Sequence, residues 1–338
     1  MYIFFLVVAG VVSWVSTNLT QRYALKLGLV QAPNHRSSHS CLTPHGGGIG
    51  VVLGSTLGGI LLIWSKPSQY GPLFFLALIL AIVGLVDDIW HLQAKIRFGI
   101  QFILCAALIA ALGFLPDGIS PTIQFTSVSV FFLLLLFTGV WWINLYNFMD
   151  GIDGIAGGQA IYMLILACGI SAFNYSTASS SLAWWLMLTV ATATFGFLVM
   201  NWPPAKIFMG DVGSTYLAFI IYGFALISIN EGWSTYFMWM ILGCPFVVDA
   251  TVTLVTRILT RQRWHEAHRN HAYQRLSRKW HSHRQVTLLV LSLDLFWLAP
   301  LATLSIRNPQ CALGITILAY VPVILGALAL GAGRQDNA

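Results

Sequence analysis

An all-α fold crossing a membrane with about eleven helices, N-terminus outside and C-terminus in the cytoplasm, is what this sequence predicts. Composition is the first reason. Of 338 residues, 57% are hydrophobic and only 8% charged, whereas soluble domains carry about 25% charged residues; mean hydropathy is +0.78. A soluble core of this size cannot hide so much apolar surface, so lipid must solvate most of it. The second reason is a series of apolar runs of roughly 16–24 residues, each long enough to cross a bilayer core. The third is charge. Fifteen of the 17 lysines and arginines fall on one side of the alternating connections, which the positive-inside rule makes the cytoplasmic side.

In chain order, the run 2–20 lacks a basic leader and a small-residue cleavage site, so it reads as a retained helix rather than a signal peptide. A cytoplasmic connection near 21–46 follows, with Arg22, Lys26 and Arg36. Runs 47–64 and 72–86 are joined outside by Lys66. The connection near 87–97 carries Lys95 and Arg97, and runs 97–114 and 127–147 are joined outside by Asp117. After the connection near 148–157 come runs 157–173 and 181–200, then 201–213 with Lys206. Runs 213–229 and 233–256 are joined outside at Glu231. Eight basic residues crowd 257–285, before runs 286–303 and 311–331, joined outside by Arg307. All nine histidines fall on the cytoplasmic side. Nothing is long or polar enough for a second domain, so residues 1–338 form one integral-membrane unit. The net charge of +6 is therefore a membrane-facing bias, not a nucleic-acid footprint. Five scattered cysteines without a CxxC pair argue against a disulfide framework or a zinc site.

Acids supply the chemistry. Asp87, Asp88, Asp150, Asp153 and Asp211 sit at cytoplasmic span ends, from three separate connections. Carboxylates gathered at one face repel unless a cation or a proton intervenes, which points to a divalent metal. Asp249 and Asp294 lie inside spans, where an ionisable group is costly and is either functional or paired. Adjacent Asp87 and Asp88 end a helix at the terminus that disfavours acids, which favours a functional reading. In "NLYNFMDGIDGIAGG", Asn144, Asn147, Asp150 and Asp153 recur every third residue, so neighbours adjoin on a helix. A calcium loop is excluded, because Ile152 takes its third position and no glutamate closes it. Asn with Asp suits hydrated Mg²⁺ or a nucleotide. "NWPPAKIFMGDVGSTYLAF" supplies Asn201, Lys206 and Asp211, with a glycine turn offering helix N–H groups to an anion. His268 and His271, ringed by arginines, suit phosphate binding; a zinc pair lacks further ligands nearby, and a polybasic membrane patch is the bland alternative for the arginines. Asn34 and Arg36 precede the glycine run "HGGGIG" and, with Lys95 and Arg97, are candidates for a lipid phosphate. The rival class is a secondary transporter using intramembrane carboxylates, but that puts its acids near the midplane, whereas five here share one face. A scaffold gives no reason for the Asn/Asp ladder.

Taken in order, these stretches resemble the polyprenyl-phosphate N-acetylhexosamine-1-phosphate transferase family, which includes the MraY and WecA enzymes, and most of all its WbpL-like branch that starts O-antigen synthesis. The likeness spans about residues 20–290. It implies a bacterial inner-membrane enzyme of ten or eleven helices with its active site facing the cytoplasm. Such an enzyme moves a sugar-1-phosphate from a UDP-sugar to undecaprenyl phosphate, requires Mg²⁺ (Mn²⁺ being the alternative ion) and releases UMP. By resemblance, Asp87 and Asp88 match the paired aspartates that deprotonate or orient the lipid phosphate, and Asp211 the magnesium aspartate, joined by Asp153. Asn144, Asn147 and Asp150 fall in the uridine and metal stretch; Asn201 and Lys206 in the Asn-x-x-Pro-Ala-Lys segment; His268 and His271 at the outer positions of the histidine motif. Asp249 and Arg257 match the polar pair before it. Asn270 replaces that motif's middle histidine, Gln31-Ala32 replaces the acid before Pro-Asn, and His45 stands where an arginine precedes the glycine run. The branch implies a donor such as UDP-FucNAc, UDP-QuiNAc or UDP-GlcNAc. One-step and two-step transfer, and a homodimer, stay open.

Overall fold

The computed structural model describes residues 2–31, 43–64, 70–113, 121–263 and 268–335, with backbone alone at 31 and over 121–128. Its helices are α1 (Tyr2–Leu27), α2 (Gly48–Trp64), α3 (Gly71–Trp90), α4 (Ala94–Ala111), α5 (Pro121–Met149), α6 (Ile155–Asn174), α7 (Leu182–Asn201), α8 (Asp211–Asn230), α9 (Tyr236–Leu242), α10 (Cys244–Leu259), α11 (Ala272–Trp280), α12 (His283–Leu293), α13 (Ala299–Arg307) and α14 (Ala312–Ala329). A two-residue antiparallel pair, β1 (Val30–Gln31) and β2 (Thr43–Pro44), is the one sheet among the described residues.

Each expected apolar run contains helix among its described residues. Among the described residues, nine helical segments are long and apolar enough to cross a membrane, α12 and α13 counting as one through the π-helical turn Asp294–Leu298. The run expected over 233–256 is broken: α9 and α10 meet at a 72° bend. Gly243 sits at the break and Pro245 in the first turn of α10, the two residue types that interrupt a helical hydrogen-bond ladder. Gln159 Nε2 of α6 donates to the Leu242 carbonyl at 3.0 Å, satisfying an acceptor beside the bend. Helix α2, at 17 residues, is the shortest match to an expected span. The basic connection after α10, expected as loop, contains α11. Tyr273 and Leu276 form its buried side, with Arg275, Arg278 and Lys279 on the same short helix; nine residues carrying so many cations leave no trace in a search for spans.

Helix α8 is the axle, almost wholly buried, while α1 and α14 leave most of their surface exposed. It packs on α3, α5 and α2; α1 and α7 flank α2, and α10, α13 and α14 form the opposite side. Without a hydrophobic drive between helices in lipid, close approach over small residues sets these contacts. A Cβ on Gly48 would stand 2.2 Å from the Gly213 Cα, and one on Gly84 would stand 2.6 Å from the Asp211 carbonyl oxygen. The first turn of α8 is thus pinned against α2 and the last turns of α3. At the far ends of α3 and α8, Glu231 accepts from Tyr70 (2.5 Å), Ser181 (2.5 Å) and the Trp233 indole (2.9 Å).

Candidate active site

The Gly84 crossing delivers both α3 aspartates to the start of α8. Asp87 and Asp88 lie in the last turn of α3, not beyond it. Asp88 Oδ1 accepts the Asp211 backbone N–H at 2.9 Å, and Oδ2 the Val212 N–H at 3.1 Å. A carboxylate borrowed from another helix therefore satisfies two of the N–H groups that a helix start leaves unpaired, where the macrodipole favours negative charge. Gly210, at φ +77°, makes this fit: a Cβ there would lie 2.6 Å from Asp88 Oδ2. His45 Nδ1 stands 3.9 Å from Asp88; burial, then the charge of His91, lowers its pKa.

Asp87 faces the other way. Its Oδ1 accepts the Leu92 N–H at 2.6 Å, and its Oδ2 meets Arg97 Nη1 at 2.5 Å. The same Nη1 reaches Asp211 Oδ2 at 3.1 Å, so one guanidinium nitrogen bridges acids of α3 and α8. Asn147 Nδ2 of α5 donates to Asp211 Oδ1 at 2.8 Å and to Ser214 Oγ at 2.9 Å. Asn144 Nδ2 donates to Gln101 Oε1 at 2.6 Å. Gln101 is buried on α4 and escapes sequence reading as a lone amide in an apolar run, although it lies four residues from Arg97 and so on the same helix face.

Asp150 follows α5; its backbone N–H donates to the Asn147 carbonyl at 3.2 Å, and its side chain makes no hydrogen bond or ion pair among the described residues. Burial, then the charges of Asp211, Asp88 and Asp153, push its carboxyl well above the usual range. Asp153, expected at the metal with Asp211, accepts from the Ala205 N–H at 3.0 Å and lies 3.2 Å from His283 Nδ1. Asn201 bonds backbone at both ends of its amide, accepting from Gly154 N–H and donating to the Ile207 carbonyl, each at 2.9 Å; it stitches two connections together. Lys206 is exposed and lacks a side-chain partner among the described residues. Lys95 is exposed in the first turn of α4, while Asn34 and Arg36 lie outside the described residues.

His268 and His271 stack at 5.0 Å between ring centroids. His271 is set by Asp249, whose Oδ1 lies 3.3 Å from Nδ1. The same carboxylate accepts the Ala272 and Tyr273 N–H groups, both at 2.9 Å. Asp249 therefore caps α11 as Asp88 caps α8, and this in-span acid is spent on structure rather than left for transport. Burial, then the charges of His271 and Arg257, lower His268 to about 4, so it is neutral at physiological pH. A cavity of about 450 Å³ brings together Asp87, Arg97, Gln101, Asn144, Asn147, Asp211, His268 and His271; Leu80, Val83, Phe98, Trp141 and Phe148 line its apolar side. Asp88, Asp150, Asp153, Asn201 and Lys206 are not in that lining.

Among the described residues, no three Asp, Glu, His or Cys side chains are arranged to close around an ion. Mg²⁺ does not require such a cage, since it keeps several waters and is held by one or two carboxylates plus substrate phosphates. Asp211, with Asp150 feeling its charge and lacking a protein partner, fits that role.

Residues 71–229 match the model described as glycosyl transferase family 4. The chain is 30% identical over 297 residues to a probable undecaprenyl-phosphate N-acetylglucosaminyl 1-phosphate transferase of Bacillus subtilis, covering 84% of this chain and 81% of that one. It is 27% identical over 322 residues to a decaprenyl-phosphate N-acetylglucosaminephosphotransferase of Mycobacterium tuberculosis (83% and 77%). An undecaprenyl-phosphate alpha-N-acetylglucosaminyl 1-phosphate transferase of Thermotoga maritima is 26% identical over 287 residues (83% and 84%).

Proposed function

Because the chain belongs to glycosyl transferase family 4, we propose that it transfers an N-acetylamino-sugar-1-phosphate from a UDP-sugar to undecaprenyl phosphate and releases UMP. The observation that carries this is one guanidinium shared by Asp87 and Asp211 in a cavity with a polar end and an apolar flank. A polar nucleotide and an apolar carrier can meet only in such a place. The basic bias of this end supports a cytoplasmic active site in a bacterial inner membrane.

A non-bridging oxygen of the lipid phosphate attacks the phosphorus that carries the sugar; the anhydride bond to the UMP phosphate breaks in line, and UMP leaves. One phosphoanhydride replaces another, so positioning and charge neutralisation carry the catalysis. Asp87 keeps the acceptor phosphate fully ionised, with Arg97 beside it to hold that phosphate. Asp88 fixes the start of α8 and so aims Asp211. Asn144 and Asn147 offer amides to the nucleotide, and His268 and His271 steady its phosphates by hydrogen bonds. Mg²⁺, when held by Asp211 with Asp150, supplies charge neutralisation at the pyrophosphate.

The donor is a UDP-N-acetylamino sugar. The relatives' names specify N-acetylglucosamine, while the O-antigen resemblance expects a 6-deoxy sugar and an initiating role in lipopolysaccharide synthesis. Purified protein with undecaprenyl phosphate and Mg²⁺ is given UDP-GlcNAc, UDP-FucNAc and UDP-QuiNAc in turn, and UMP and the lipid product are followed by mass. Turnover is expected with at least one donor and is lost in Asp87→Asn and Asp211→Asn. Full turnover in both variants refutes the assignment.

A further inference from the structure

We propose that Asp294 keeps its proton in the folded chain and donates it to the Gln159 amide, a buried link that locks the α9–α10 bend and so positions α10 for catalysis. Asp294 opens the π-helical turn between α12 and α13, at the centre of the span His283–Arg307. It is wholly enclosed, as Gln159 is on α6. The Gln159 amide lies against the Asp294 carboxyl, yet both Asp294 carboxyl oxygens and Gln159 Oε1 lack a hydrogen bond. Buried polar atoms are otherwise almost always paired, and these three are all oxygens. One proton resolves the conflict: the acid O–H donates to Gln159 Oε1, and the charge that lipid depth penalises disappears.

The surroundings offer no other remedy. Gln159 cannot turn its amide over, because Nε2 donates to the Leu242 carbonyl at 3.0 Å, and that carbonyl can only accept. The titratable groups facing Asp294 are Tyr162 of α6 and Cys244 in the first turn of α10, both uncharged at physiological pH. Their hydrogens are committed elsewhere. Tyr162 donates to the Asp294 backbone carbonyl at 2.6 Å, and the Cys244 thiol points to the Ala319 carbonyl at 4.0 Å. Among the described residues no cation faces the carboxyl.

The link reaches the catalytic cavity through one helix. Leu242 ends α9, and α10 begins two residues later, across the 72° bend. Helix α10 then gives Ala250, Thr253 and Leu254 to the cavity. It also carries Asp249, which caps α11 and sets His271. Asp294 acts on the bend through Gln159 and touches no reacting group, so it is a positioning residue.

The test uses the full chain in nonionic detergent. The infrared spectrum of wild type minus D294N is expected to show the carbonyl band of a neutral carboxylic acid, unmoved across the physiological pH range. Q159L shifts that band. D294L lowers turnover about tenfold, as loss of one buried hydrogen bond does, whereas D294N, whose amide offers the same donor, stays within about twofold of wild type. Absence of the acid band, a band that Q159L leaves in place, or D294N as damaging as D294L overturns the proposal. So does a Tm that Na⁺ raises in wild type and not in D294N, which assigns an ionised carboxylate holding a cation. If D294L fails to fold, the band and D294N decide. The turnover arm rests on the proposed transferase activity and the infrared arm does not, so a band present in a protein without turnover faults that activity and upholds the link.

Discussion

Asp88 caps the helix that begins with Asp211, accepting its backbone N–H at 2.9 Å while the Asp211 side chain turns towards Arg97 and Asn147. The two neighbouring aspartates of α3 therefore have different work. Asp88→Ala strips two N–H groups of their acceptor and is expected to cost about 1–2 kcal/mol of stability, as loss of a helix cap does, together with most activity. Asp88→Asn keeps one acceptor oxygen and loses less stability. Thermal melts of the two variants beside turnover separate the cap from the charge.

Arg97 lies against both Asp87 and Asp211, so it competes with any cation these acids attract. Arg97→Gln is expected to lower turnover about 100-fold, as loss of a preorganised charge at a transferring phosphate does, and yet to lower the Mg²⁺ concentration for half-maximal rate. Magnesium titrations of both proteins check this; an unchanged or raised requirement contradicts it.

Asp150 is held well above the usual carboxylate range by burial and three acids. A carboxyl that keeps its proton must release it to meet a cation, so Mg²⁺ affinity rises with pH. Calorimetry in buffers of unequal ionisation heat reads the released proton, and Asp150→Asn lowers both the proton release and the pH dependence.

His268 titrates at about 4, against about 6.5 in an unfolded chain. Between those values the unfolded chain binds a proton that the folded one refuses. Stability is therefore lost as pH falls from 6.5 towards 4 and is indifferent to this residue above 6.5. His268→Gln flattens that limb of the Tm–pH curve; parallel curves for the two proteins speak against the assignment.

At the other end of α3 and α8, Glu231 takes three donors. Hydrogen bonds to a charged group contribute about 1.5–3 kcal/mol each, so Glu231→Ala is expected to cost about 3 kcal/mol or more, with turnover per folded molecule unchanged.

Spans and the acidic cluster are legible in the sequence for physical reasons: apolar length and misplaced charge are local properties, and lipid punishes both strictly. The division of labour is not local. Nothing in "VDDIW" tells that Asp88 turns to another helix and Asp87 to Arg97, because the crossing at Gly84 decides it. Asp249 reads as an in-span carboxylate suited to transport and proves to be the cap of α11, a helix too short and basic to signal itself. His283, which receives Asp153, is one histidine of a basic connection and carries no spacing signal. Asn201 reads as a phosphate ligand from its segment, whereas its amide is taken by backbone 47 residues upstream and six downstream.

Where Gly48 meets Gly213 and Gly84 meets the Asp211 carbonyl, backbone atoms alone set the spacing of α2, α3 and α8. No rotamer change can widen it, so these helices can travel only as one piece. Accommodation between a compact donor and a long acceptor then falls to α4 and the 268–271 segment, and changes of sugar preference by directed evolution should accumulate there while the three-helix unit stays untouched.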